Sequence, residues 1–145
     1  MKTPPKLRLW HWIVLALVLA YAIDWFIQRP DEQTRTLNAA IAEHASAQLK
    51  AYPYPFRVLR TVGGKAVMGT PRSRELSVTR IIKLLHPQID VLNTNDPAFI
   101  AAQKELAGLQ FEARDIVATQ PGVTAVVWEL DRHWLTAHGI DVPPQ

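Results

Sequence analysis

The sequence predicts an α+β protein in which a single N-terminal transmembrane helix precedes a small domain of about five mostly antiparallel strands with three to four helices. Three observations lead there. Residues 9–27, LWHWIVLALVLAYAIDWFI, are one apolar run. Gly63-Gly64 separates two short runs of strand-like composition. Further on, apolar stripes at helical spacing alternate with Asp, Thr and Pro breaks.

The apolar run comes first. At 1.5 Å rise per residue it would extend about 28 Å, close to the roughly 30 Å of bilayer hydrocarbon. Trp10 and Trp12 mark one end, and Tyr21, Trp25 and Phe26 the other, as interfacial aromatics do. Lys2, Lys6 and Arg8 precede the run, whereas Arg29 and Arg35 follow it beside Asp31 and Glu32. That excess predicts a cytoplasmic N-terminus, an inner-membrane single-pass topology and a periplasmic C-terminal domain. The expected divisions are a basic tail (1–8), an anchor (9–28), a helical stalk or packing helix (29–52) and the domain proper (53–145).

A cleaved signal peptide competes, with an h-region at Ile13–Leu19 and Ala20-Tyr21-Ala22 as its cleavage site. The run resumes after Ala22 as Ile23, Trp25, Phe26 and Ile27, which favours retention. Asp24 and His11 interrupt the span near its ends, where each can reach water. The sharper reading pairs Asp24 with a basic residue on a neighbouring helix.

Pro30 restarts the chain as a helix over 31–51, with Leu37, Ala40, Ile41, Ala45 and Leu49 on one stripe. Tyr52-Pro53-Tyr54-Pro55 ends it, because residues before proline are pushed to extended geometry. Phe56–Val62 and Lys65–Met68 flank Gly63-Gly64 as a tight hairpin. Thr70-Pro71 reads as a helix start, and Val78, Ile81, Ile82 and Leu85 carry that helix to His86. Gln88–Leu92 reads as a short strand. Asn95-Asp96-Pro97 caps a helix that ends at Ala107-Gly108. Phe111–Ala118 and Val123–Leu130 read as strands. A last helix over Asp131–His138 is closed by Gly139, with Ile140 as its hydrophobic partner.

Charge is the most informative pattern. From Arg29 onward thirteen basic residues stand against twelve acidic ones. Between Lys50 and Lys83 eight are basic and only Glu75 is acidic, whereas from Leu84 to the end three are basic and eight acidic. Either the two halves neutralise each other across one fold, or they leave a bipolar surface that steers a charged partner. On the second reading Arg57, Arg60, Lys65, Arg72, Arg74, Arg80 and Lys83 bind the partner. The same stretch could touch anionic lipid. Nucleic acid is disfavoured by the small net charge and the predicted topology.

Catalytic patterns are weak. Without cysteine there is neither a disulfide framework nor a zinc–thiolate site. Glu129, Asp131, His133 and His138 cluster near the C-terminus and suggest a metal only if one helix holds them. HExxH is absent, and so are a P-loop and a GxSxG elbow. No cofactor is expected. The functional expectation is an accessory or assembly subunit of a bacterial envelope complex that acts by protein–protein contact, with the bilayer and other envelope proteins as partners. The alternatives are a periplasmic enzyme or ligand-binding module with its site at the C-terminal His/Glu cluster, and an anionic-lipid-binding surface module.

Overall fold

A computed structural model describes residues 9–28 and 31–142 of the chain. The chain divides into two units, Met1–Pro30 and Asp31–Gln145. The basic tail of residues 1–8, Arg29 and Pro30 lie outside the described residues.

In the first unit, Leu9–Gln28 is a helix, α1. Among the described residues no helix is long and apolar enough to cross a membrane. Between His11 and Asp24 the unbroken apolar run, Trp12–Ile23, is twelve residues. As helix that run extends about 18 Å, against roughly 30 Å of hydrocarbon. This corrects the expected transmembrane anchor, and with it the inner-membrane localisation and the cytoplasmic and periplasmic assignments built on it. The side chains from Trp10 to Phe26 are exposed.

Among its described residues the second unit contains five helices and three strands. The helix expected over 31–51 is two helices, α2 (Glu32–His44) and α3 (Ala47–Ala51). Ala45 and Ser46 are extended between them, because Ser46 caps α3 by accepting from the Leu49 N–H. The hairpin forms as expected from β1 (Val58–Val62) and β2 (Lys65–Thr70). Gly63 and Gly64 turn it with φ of 54° and 80°, a region that side chains with a Cβ rarely adopt. Strand β2 runs on through Thr70, so the helix α4 starts later, at Val78, with Ser77 as its cap.

Two expected strands are absent from the described residues. Gln88–Leu92 is turn and bend. Phe111–Ala118 belongs to one long helix, α5 (Pro97–Ala118). Its buried face, Ala102, Leu106, Leu109, Ala113 and Val117, keeps helical spacing straight through Gly108. A Cβ at Gly108 would meet nothing, so the glycine is tolerated inside a helix rather than ending it. Strand β3 (Ala125–Leu130) and helix α6 (Arg132–Ala137) complete the chain. Gly139 (φ 78°) and the Ile140 N–H to Leu135 carbonyl bond close α6 as expected.

The α+β class therefore stands, with three strands rather than five. The strand order is β1-β2-β3, antiparallel in the hairpin but parallel between β2 and β3. A parallel neighbour requires a long crossover, and α4 and α5 supply it. Val58, Ala66 and Met68 from the sheet meet Leu37, Ile41, Ile81, Ile82, Phe99, Leu106 and Leu135 from the helices in one core. Val126, Trp128 and Leu130 pack against that core from the same face of β3.

Candidate functional site

The connection entering β1 and the one leaving β3 meet at one carboxylate. Asp131 is 3% exposed. Its Oδ2 accepts from the Tyr54 hydroxyl at 2.9 Å and lies 2.8 Å from an Arg57 guanidinium nitrogen. Its Oδ1 accepts from the Trp134 N–H and so caps α6. A buried carboxylate is tolerated only when paired and hydrogen-bonded, and Asp131 has both. Gly69 leaves the space: a Cβ there would stand 2.7 Å from the Tyr54 hydroxyl and 3.2 Å from Asp131 Oδ2. Burial, then the Asp131 charge, pushes the Tyr54 hydroxyl well above the ordinary tyrosine range. The group stays neutral and donating at any physiological pH. The Asp131 cluster ties the segment before β1 to the start of α6.

A second link crosses the sheet. Arg60 on β1 reaches over β2 to Glu129 on β3 with two bonds of 2.9 and 2.5 Å. The hydrogen bonds from Arg60 hold the Glu129 carboxyl below its usual range. Between the two side chains lies Val67 of β2, which faces away from the helices yet is buried.

These pairings sort the seven cations expected to bind a partner. Arg57 and Arg60 are engaged within the fold by Asp131 and Glu129. Lys65, Arg72, Arg74, Arg80 and Lys83 are exposed, the last with its Nζ 2.6 Å from the Pro87 carbonyl. Arg80 and Lys83 lie on α4 one turn apart, and the opposite face of α4 buries Ile81, Ile82 and Leu85. Both border a groove of about 550 Å³ with Leu84, Val91, Leu92 and Ile140 among its apolar walls. Leu92 is 93% exposed. Ser77, at the mouth of the same groove, spends its hydroxyl oxygen on the α4 cap, so the two cations are its charged feature.

Two further concavities exist. One of about 610 Å³ is lined by Ile41, Leu49, Lys50, Phe56 and Arg57, but its arginine is already held by Asp131. The other, about 470 Å³, is bordered by Gln48, His86 and Glu105. There Gln48 donates to Glu105 at 2.8 Å, and His86 Nε2 lies 3.7 Å from the same carboxylate. The Tyr52 hydroxyl and His86 Nε2 are buried without a hydrogen-bond partner among the described residues. Burial pushes the Tyr52 hydroxyl upward.

The C-terminal cluster does not converge. Glu129 and Asp131 turn to Arg60 and to Tyr54 with Arg57. His138 stacks on Trp134 and places Nδ1 2.8 Å from the Trp134 carbonyl. Among the described residues no three His, Asp or Glu side chains gather as a metal-ligand set. Asp24 lies on α1, in the other unit. Sequence reasoning missed Tyr54 and Gly69. The Tyr-Pro-Tyr-Pro run signalled an end to helix but not that one tyrosine is fully buried. Gly69 lay outside the turn glycines. The chain matches no known protein family, no curated protein and no solved structure.

Proposed function

We propose that the Asp31–Gln145 unit is a binding module, an accessory or assembly subunit of a protein complex, and that its α4 groove takes an acidic segment carrying an aliphatic side chain. The observation behind this reading is the pairing of two exposed cations with an exposed apolar wall. Arg80 and Lys83 stand on the solvent side of α4 beside Leu84, Val91 and Leu92, with Arg72 and Arg74 exposed in the connection leading to it. Cations at a rim give steering and register, and a half-open apolar groove gives affinity. Arg57 and Arg60 contribute nothing to this, since each is paired with a carboxylate in the fold, and Lys65, although exposed, lies in the hairpin and not among the residues that line the α4 groove.

The test compares the full chain with the Arg80→Glu, Lys83→Glu double variant against synthetic peptides pairing Asp/Glu with one Leu or Ile. Wild type should bind in a salt-sensitive way and the double variant should not. Equal binding by both proteins, or a chain that runs as a lone species and takes no peptide at low salt, rejects the reading.

A further inference from the structure

The sheet ends differently on its two sides. On β1 the edge is blunted. The Asn38 side-chain amide donates to the Val58 carbonyl at 2.9 Å and accepts its N–H at 2.8 Å, and a register shift interrupts the pairing between Val58 and Arg60. Such devices prevent edge-to-edge association. Among the described residues strand β3 has neither a side-chain clamp nor a register shift. Its sequence, AVVWEL, contains no Lys, Arg or Pro. It lies at the end of the sheet, and none of its residues is fully buried.

The Gly69 N–H bonds the Arg57 carbonyl on the β1 side. The Gly64 and Thr70 carbonyls accept from Thr124 and Asp131 on the β3 side. Odd-numbered residues of β2 therefore turn their backbone groups to β1 and even-numbered ones to β3. Ala66 lies beside Val126 and Met68 beside Trp128 in parallel register. In a parallel ladder that arrangement aims the N–H and C=O of Val126 and Trp128 outward, to the free edge.

We propose that this edge pairs with the same edge of a second copy of the chain, antiparallel, about a two-fold axis beside Val127. The match follows from the strand itself. With Val127 opposite Val127, the outward-facing residues meet as hydrogen-bonded pairs, Val126 with Trp128 of the second copy and the reverse. On the core side this sets an aromatic against a β-branched residue twice, a favourable cross-strand pair. On the other side Val127, 41% exposed, covers its counterpart, and Ala125 faces Glu129. No like charges oppose one another, and each Glu129 is already held by its own Arg60. The product is a continuous six-stranded sheet with a closed, isologous interface. This proposal is independent of the α4 groove.

The absence of cysteine makes the test specific. In the pairing proposed, the two Val127 Cα atoms form a non-hydrogen-bonded pair about 4.5 Å apart, within disulfide reach. Full-length Val127→Cys should form a disulfide dimer under mild oxidation about tenfold or more faster than Val62→Cys, a control on the opposite edge that is the more exposed of the two, 58% against 41%. Val127→Glu and Val127→Lys should each sediment as the smaller species alone and recover the larger one when mixed. Crosslinking at residue 62 as fast as, or faster than, at residue 127 overturns the proposal. So does a wild-type chain that stays monomeric and a Val127→Cys chain that does not crosslink.

Discussion

The hairpin and α4 draw their cations from the same basic stretch of sequence, yet the fold treats them oppositely. Arg57 and Arg60, flanking and within β1, find Asp131 and Glu129, which lie more than sixty positions along the chain. Arg80 and Lys83 find no carboxylate within ion-pair distance among the described residues and stay at the surface beside an apolar groove. The difference comes from strand pairing. Parallel β3 carries its acidic C-terminal end across β2 to the start of β1, while α4 packs on the core through Ile81, Ile82 and Leu85 and turns Arg80 and Lys83 outward. A run of like charge in sequence is thus no measure of a charged surface until the sheet order is known.

The largest expected break falls on the internal side of this comparison. Asp131→Ala leaves Arg57 unpaired and Tyr54 without its acceptor and removes the α6 cap, a combined loss of about 3–5 kcal/mol. Urea denaturation measures it, and a loss below about 1 kcal/mol would show that the lock contributes little. Gly69→Ala should cost about 1–3 kcal/mol by overpacking, because the new methyl group must displace Tyr54 or Asp131. A Gly69→Ala chain as stable as wild type would mean that the Tyr54 contact relaxes freely.

Tyr54→Phe should cost about 1.5 kcal/mol at neutral pH, the low end for a hydrogen bond to a charged acceptor, because Arg57 still pairs Asp131. It also carries a pH signature. The hydroxyl ionises near 10 when unfolded and well above that when folded, so the folded state binds more protons above pH 10. Stability is therefore intact below about 10 and falls as pH rises beyond it. The phenylalanine variant should show a shallower alkaline decline.

Arg60→Ala is a smaller change, about 0.5 kcal/mol, because both members of the Arg60–Glu129 pair are half exposed. Arg60 lowers the Glu129 carboxyl below 4.5, so its contribution is present above that pH and is lost as pH falls past it. The variant should lose that acid-sensitive part, and added salt should erase the difference. At the far end, Arg80→Glu with Lys83→Glu should shift stability by no more than about 0.5 kcal/mol while abolishing acidic-peptide binding. Melting curves and binding titrations on one preparation separate the two effects.

Much of the local structure was legible in the residues. Gly63-Gly64 announced the hairpin, Asp96-Pro97 the start of α5, and Gly139 the end of α6, because each of these is a backbone constraint set by one or two residues. The errors arose where a local signal had a tertiary alternative. Gly108 read as a helix stop, but its missing side chain faces open space and α5 passes through. Thr70-Pro71 read as a helix start, but Thr70 is the last rung of β2. The apolar run of α1 was visible, but its length between His11 and Asp24 falls short of a bilayer. For the candidate site, the exposed cations of α4 were among those expected. Their separation from Arg57 and Arg60 was not foreseeable.

The residues by themselves settled the α+β class, the hairpin, the cap at Asp96, the close at Gly139 and the uneven charge, all of which depend on neighbours within a few positions. Long-range packing set β3 parallel to β2, gathered Tyr54 and Arg57 at Asp131 over Gly69, and left β3 at the end of the sheet with no further strand among the described residues. Those features need partners 60 or more residues apart, and only the packing of α4 and α5 on the sheet brings them together.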